Sequence, residues 1–449
     1  MLAHTPGEHY ICQCRHALEY RNPAGTGQAP ARTVPPLPAA PGVIPDMQNV
    51  IPRRKKTIRD IEVRGKRVLV RADFNVPLND DGSIADDTRI RASLPTIRYL
   101  CERDARVILC SHLDRPKGVV VERLRLALVA NRLSMLLGQP VLALQDCIGP
   151  EVESAVAGMS GGDVVLLENL RFHPEERADD PAFAEQLASL AEIYVNDAFG
   201  ASHRAHASIV GVPEHLPAVA GLLLTKELDA FIRILKDPDR PFAAVIGGAK
   251  VSDKLGVLEN IVPRVDLLVI GGGMAATFLA SRGYGTGASS VETDRLDDVR
   301  GISAKAAKLG VRLLLPQDVV VAGRLDTGAG ARVVPATAIP EGLVIADIGP
   351  GAASEFCQAL AGCRTVVWNG PMGVFEVPEF AEGTRRVAAT LANLPGTTVI
   401  GGGSTADAVI RFGLADEMTH VSTGGGAALT MLAGKPLPGV EALEDAEEP

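Results

Sequence analysis

From residue 60 onward, short β-rich runs alternate with helical patterns, and that alternation predicts an α/β fold with parallel sheets. A long amphipathic pattern over residues 222–236 interrupts the series, and the strand ends on its two sides carry different chemistry. The expectation is two doubly wound parallel-sheet domains joined by a long helix and hinge. At 449 residues the chain is long enough for two separate cores.

In the first half, four hydrophobic runs each lead into a loop that carries an arginine. Val68–Val70 runs into Arg71, Asp73, Phe74 and Asn75, and Val107–Cys110 into Ser111, His112, Leu113, Asp114 and Arg115. Val164–Leu167 leads into Glu168, Asn169 and Arg171. Ile193–Val195 leads into the loop with His203, Arg204 and His206. Ile90, Leu94, Ile97 and Cys101 fall at helical spacing between the first two strands. In parallel α/β sheets, ligands bind outside the carboxyl ends of the strands. Guanidinium and imidazole groups gathered there repel one another unless an anion sits among them, and the planar fork of arginine suits carboxylate and phosphate oxygens. A single surface arginine is usually a solvated charge; four loops of like composition are much harder to dismiss. The first half reads as a holder for a small, highly charged acid.

Leu224, Leu228, Phe231, Ile232 and Leu235 line one face of the long helix, and Pro238 ends it. A second strand series follows: Ala243–Ile246, Leu267–Ile270, Val311–Leu315, Val319–Val321, Thr365–Trp368 and Thr397–Ile400. These strands end in glycines, at Gly247-Gly248 before Lys250 and Lys254, at Gly271–Gly273, and at Gly401–Gly403 before Ser404 and Thr405. A late Gly424–Gly426 turn precedes the last helix. Glycine at a strand-to-helix turn lets backbone N–H groups approach a phosphate, and the helix N-terminus favours its charge. Close helix–strand packing also selects glycine, so any one turn is weak evidence. The set reads as a nucleotide domain.

Several classes are excluded. A formal charge of −9 argues against a nucleic-acid partner. The seven cysteines show no CxxC pair and no metal-ligand spacing with histidine, so they read as reduced thiols. No apolar run approaches the roughly 18 residues of a membrane span. Gly271-x-Gly273-x-x-Ala276 and Gly401-x-Gly403-x-x-Ala406 match a dinucleotide fingerprint. Gly271, however, follows the second strand of its half, whereas that fingerprint belongs to the first. No GxxxxGK[ST] loop is present. His112, His203 and His206 lack the carboxylate or thiol partners of a metal site and read as anion contacts or loop hydrogen bonds.

The strings RADFNVP, DDTRIRASLPTI, SHLDRP, LLENLRF, YVNDAFGASHRAHAS, GGAKVSDK, IGGGMAATF, WNGPMGVFE and HVSTGGGA occur in one order over about residues 56–442. In that order and spacing the chain resembles the phosphoglycerate kinases. The resemblance implies two Rossmann-like domains: 47–221 for 3-phosphoglycerate, a helix over 222–238, and 239–423 for nucleotide. Residues 424–449 would return toward the first domain. It implies reversible transfer of a phosphoryl group between 1,3-bisphosphoglycerate and ADP, with 3-phosphoglycerate and ATP as products. Mg2+ would accompany the nucleotide, in a cytoplasmic monomer with no membrane or nucleic-acid partner. Carried over, the acid-binding set is Asp73, Phe74, Asn75, Arg89, His112, Leu113, Asp114, Arg115, Arg171 and Arg204. The nucleotide set is Lys250, Lys254, Gly271, Gly272, Glu376, Gly402, Gly403, Ser404 and Thr405. Arg89 and Lys254 would stabilise the transferring group. Two departures stand out. Ser404 replaces the family's usual magnesium-binding Asp, leaving Ser404, or Asp407 through water, as metal ligand; Asp114 replaces a common glycine. The rival reading is a catalytically weakened member that acts as a binding protein.

The first 46 residues are rich in Pro and Ala and lack apolar periodicity. Met47 is an in-frame candidate start, so residues 1–46 read as a disordered leader or a mis-called start. Intact mass of the protein from its native source decides between them: a mis-called start gives a chain beginning at Met47, and a mature chain beginning at Met1 rejects it.

Overall fold

The computed structural model describes residues 52–447, and the expected leader lies outside them. The first sheet contains β1 (Arg67–Arg71), β2 (Arg106–Cys110), β3 (Val141–Ala143), β4 (Val164–Leu166), β5 (Ile193–Asn196) and β6 (Ala218–Ala220). Its order is β3-β4-β2-β1-β5-β6, and every pairing is parallel. Val68 to Val70 and Val107 to Leu109 are fully buried, as a parallel sheet covered on both faces requires. The arginine-bearing loops follow β4, β2, β1 and β5, four adjacent strands running the same way. Their carboxyl ends therefore share one edge. The chain steps from β1 to β2 on one side and later places β5 on the other, so this edge includes a switch point.

The second half begins with β7 (Phe242–Ile246), β8 (Leu267–Ile270) and β9 (Arg312–Leu314), continues through β10 (Asp318–Ala322), β11 (Arg332–Pro335) and β12 (Val344–Ile348), and ends with β13 (Thr365–Asn369), β14 (Thr397–Gly401) and β15 (His420–Val421). Six of these strands make a parallel sheet of order β15-β14-β13-β7-β8-β9. Turns after β14, β13, β7 and β8, again four neighbours, carry the glycines.

One expected strand belongs elsewhere. Val319–Val321 is a strand, but β10 pairs antiparallel with β11 and β12 in a separate three-stranded sheet. A parallel return needs a crossover of about a dozen residues, and only a few separate β9 from β10. That short connection was the readable signal. Asp318 then anchors the next helix: its carboxylate accepts from Ala352 N at 2.6 Å and Gly351 N at 3.0 Å.

The connecting helix spans Leu222–Lys236. Leu224, Leu228, Phe231 and Leu235 are buried as expected; Ile234 is buried in place of the half-exposed Ile232. Each such apolar side chain contributes roughly 1.5–3 kcal/mol of gross burial. The helix start is held by the loop after β5. Asp197 Oδ1 accepts from Leu223 N at 2.9 Å and Leu224 N at 3.3 Å, and Leu222 N donates to Thr96 Oγ1 at 3.0 Å. Phe231 stacks on Phe199, from the first half, at 5.7 Å between ring centroids. The last residues also contact the first half: Asn196 Nδ2 donates to Gly439 O at 2.8 Å and Lys56 N to Glu444 O at 2.9 Å.

Asp197→Ala leaves two helix N-terminal amides without their acceptor in a buried site. Urea unfolding should show a loss of about 1–3 kcal/mol, and unchanged stability would remove Asp197 from this role.

Candidate active site

The edge of the first sheet holds a cluster of cations. Asp73 accepts from Arg89 Nη1 with both carboxylate oxygens, at 3.2 Å each. Asn75 Oδ1 accepts from Asp114 N at 2.7 Å. Arg171 Nη1 donates to Asp114 O at 2.7 Å, while its Nε and Nη2 are buried without a hydrogen-bond partner. Burial, reinforced by Arg71 and Arg204, pushes the Arg171 guanidinium down to about 10. Burial likewise lowers Arg204, with Arg115 adding to the effect. His112 falls well below the usual imidazole value, first through burial and then through Arg71, Arg171, Arg204 and Arg89. Charges that depress one another in this way lie close together. An anion would relieve them all.

The remaining residues of the acid-binding set contribute differently. Phe74 and Leu113 are buried and act through their backbones, Phe74 N donating to Ser111 Oγ at 2.9 Å and Leu113 N to Asn169 Oδ1 at 3.2 Å. Arg115 is exposed. Asp114 adopts a left-handed φ of 53°, which accounts for glycine suiting this position. Its side chain is exposed, and its backbone joins Asn75 to Arg171. Asn169, which sequence reasoning did not single out, fixes this loop: its Nδ2 donates to Leu113 O at 2.9 Å and Leu124 O at 3.0 Å, and its Oδ1 also accepts from Arg171 N at 3.1 Å.

At the glycine-bearing edge of the second sheet lies a cleft of about 510 Å³. Gly248, Gly272, Gly273, Gly373, Glu376 and Ser404 are among its lining residues. Gly272, at φ 66°, lies so close to Gly248 that a Cβ would sit 2.6 Å from the Gly248 nitrogen. Gly271 is buried against Met372. Gly402 and Gly403 open the helix Gly403–Arg411. Thr405 points inward, its hydroxyl accepting from Gly370 N at 2.7 Å. Lys250 is exposed. Lys254 Nζ donates to Asn369 Oδ1, and Asn369 is a fully buried partner that the sequence reading passed over. Burial lowers Lys254 to about 8, opposed by Asp253.

For a magnesium ion the protein offers few free hard donors here. Ser404 and Glu376 line the same cleft, whereas Asp407 Oδ1 is 3.1 Å from Arg411 Nε and engaged by it. Such a set suits a cation carried mostly by a nucleotide's phosphates. Elsewhere, folding brings Asp146, Cys147 and His173 together, with ligand atoms within 4.8 Å, a cluster that sequence spacing did not reveal. His173 Nε2 already lies 2.7 Å from Asp146 Oδ1, and burial raises the Cys147 thiol well above its usual value.

The late glycine turn has a packing role. A Cβ on Gly424 would lie 2.6 Å from Phe199, and one on Gly426 would lie 2.7 Å from the His203 ring. These glycines thus also answer to close contact with the loop after β5. Nearby, Glu227 of the connecting helix is fully buried and accepts from Thr423 N and Oγ1, each at 2.7 Å, while His420 Nε2 lies 2.7 Å from its other oxygen. A lone acid on an amphipathic helix gave no sequence signal for this cluster.

A cationic cup on one parallel sheet and a glycine-edged cleft on a second define a two-domain kinase of small molecules. The phosphoglycerate kinase family profile matches residues 58–435. The chain is 56% identical over 391 residues to the phosphoglycerate kinase of Moorella thermoacetica, covering 87% of this chain and 99% of that protein. It is 56% identical over 399 residues to that of Synechococcus elongatus, with the same coverage. The phosphoglycerate kinase structure from Coxiella burnetii aligns with a TM-score of 0.76 at 39% identity, covering 86% of this chain and 98% of that one. That from Pyrococcus horikoshii OT3 aligns at 0.77 and 34%, with the same coverage. The chain belongs to the phosphoglycerate kinase family.

Lys254 carries its charge below about pH 8. The KM for ATP should therefore rise as pH passes upward through that value, and Lys254→Arg should abolish the alkaline rise. An identical alkaline limb in the arginine variant would assign it to another group.

Proposed function

We propose that this chain transfers a phosphoryl group reversibly between 1,3-bisphosphoglycerate and ADP, yielding 3-phosphoglycerate and ATP. The observation that carries this reading is Arg171, buried with two guanidinium nitrogens unpartnered beside His112 and Arg204. A buried donor without an acceptor is costly, and an acidic substrate supplies the missing oxygens.

In the direction of acyl phosphate synthesis, the nucleophile is a carboxylate already ionised at neutral pH. No general base is needed, so catalysis rests on positioning and on screening charge at the transferring phosphorus. The acid is held by Arg171, Arg204, His112 and the backbone of the Asn75–Asp114 pair. Arg89, fixed by Asp73, and Lys254, fixed by Asn369, are the charges assigned to the transferring group. The nucleotide lies along Gly272, Glu376 and Ser404, and Gly402 and Gly403 present a helix N-terminus to its phosphates. Magnesium, when bound, screens the phosphate charge; Ser404, or Asp407 through water after release from Arg411, would hold it. Domain closure would bring the two sites together and exclude water. The same reading makes the enzyme a cytoplasmic monomer. Free thiols among the described residues support that compartment, and among those residues no helix is long and apolar enough to cross a membrane.

A coupled assay with 3-phosphoglycerate and MgATP should show turnover, and binding without turnover would favour a binding protein. Arg89→Ala should raise the barrier by about 3–4 kcal/mol, seen in kcat, with far less change in ADP affinity; equal kcat removes Arg89 from the mechanism. Ser404→Asp should lower the magnesium concentration needed for half-maximal rate. An unchanged requirement counts against Ser404 as the site of weakened metal binding.

A further inference from the structure

A buried network beneath the cup has no role in the reaction as derived above. Arg71 is fully buried at the end of β1. Among the described residues, no carboxylate lies within ion-pair distance of it. Its Nη1 donates to Ala72 O at 2.5 Å and its Nε to Ser208 Oγ at 2.9 Å. The Ser208 hydroxyl gives its one proton to Glu176 Oε1 at 2.7 Å, and Ser208 N donates to Glu176 Oε2 at 2.9 Å. Glu176 is also fully buried. Tyr194 Oη donates to Ser208 O at 2.7 Å and fixes that segment. The two buried charges thus compensate each other through one hydroxyl, as buried charges must.

The remaining Arg71 nitrogen settles a proton position. Nη2 lies 3.0 Å from His112 Nδ1. Guanidinium has donors only, so Nδ1 must offer its lone pair, and a neutral imidazole then carries its proton on Nε2. His112 is 5% exposed, and among the described residues Nε2 has no hydrogen-bond partner. The charged groups acting on the ring are Arg71, Arg171, Arg204 and Arg89. An imidazolium would add a further positive charge to these and set Nδ1–H against Nη2–H.

We propose that Arg71 is a positioning residue which, anchored through Ser208 to Glu176, fixes His112 as the neutral Nε2–H tautomer, so that the cup presents an aimed hydrogen-bond donor to the acidic substrate without another charge. The recognition step rests on the kinase reading; the tautomer does not, and can be read without substrate. Nitrogen-15 spectra of histidine-labelled full-length chain, with His112 assigned by loss of its signals in His112→Asn, should show Nδ1 bare and Nε2 protonated from about pH 6 to 8. An Nδ1–H tautomer, or titration within that window, overturns the proposal. Arg71→Gln should mix the tautomers and raise the KM for 3-phosphoglycerate about tenfold, with the KM for ATP unchanged; Arg71→Lys, which keeps a donor, should restore both. Should Arg71→Gln fail to fold, Ser208→Ala should shift tautomer and KM in the same direction. A fixed tautomer in the glutamine or alanine variant overturns the proposal. The Nε2–H tautomer in the native chain and its loss in Arg71→Gln, together with absent turnover, would leave the device intact and fault the kinase reading instead.

Discussion

Buried positive charge without enough protein acceptors is the constraint on which the site depends. Asp73 is the carboxylate paired with Arg89 in the cup, and Glu176 serves Arg71 only through Ser208. Arg171 is left with two nitrogens unsatisfied. Such an arrangement weakens the fold locally, since desolvated charge opposes folding. It persists because the four loops are fixed by neighbouring parallel strands whose cores are fully buried. The rigid sheet holds the repelling groups in place until a ligand completes them.

The second edge uses the opposite strategy. Glycine turns expose backbone amides with little side-chain charge, and one lysine, lowered by burial, adds a cation. Divided labour of this kind suits a reaction that moves a charged group between two anions. Each substrate has its own site, and contacts of the Gly424–Gly426 turn, Phe231 and Glu227 tie the connecting helix and the last strand to the loop after β5.

Much of this was legible in the sequence because strand-end loops after adjacent parallel strands must converge. Arg71, Arg115, Arg171 and Arg204 announced the cup through repetition, and no tertiary knowledge was needed. Where a strand pairs with a distant partner, local pattern fails: Val319–Val321 has the composition of a parallel strand, and its antiparallel partners lie at Arg332–Pro335 and Val344–Ile348. Second-layer polar residues were equally hidden. Asn169, Asn369 and Glu227 earn their roles by contacts 56, 115 and 196 residues away, which no periodicity reports. At about 100° per residue Ile232 and Ile234 fall on opposite flanks of the buried stripe, and the covered flank is that of Ile234, which also carries the buried Glu227.

A crystal structure of the protein with 3-phosphoglycerate bound tests the central claim most directly. Acid oxygens should occupy the positions facing Arg171 Nε and Nη2, with His112 and Arg204 around them. Density for the acid on an unrelated surface, with those two nitrogens still unpartnered, would contradict the account.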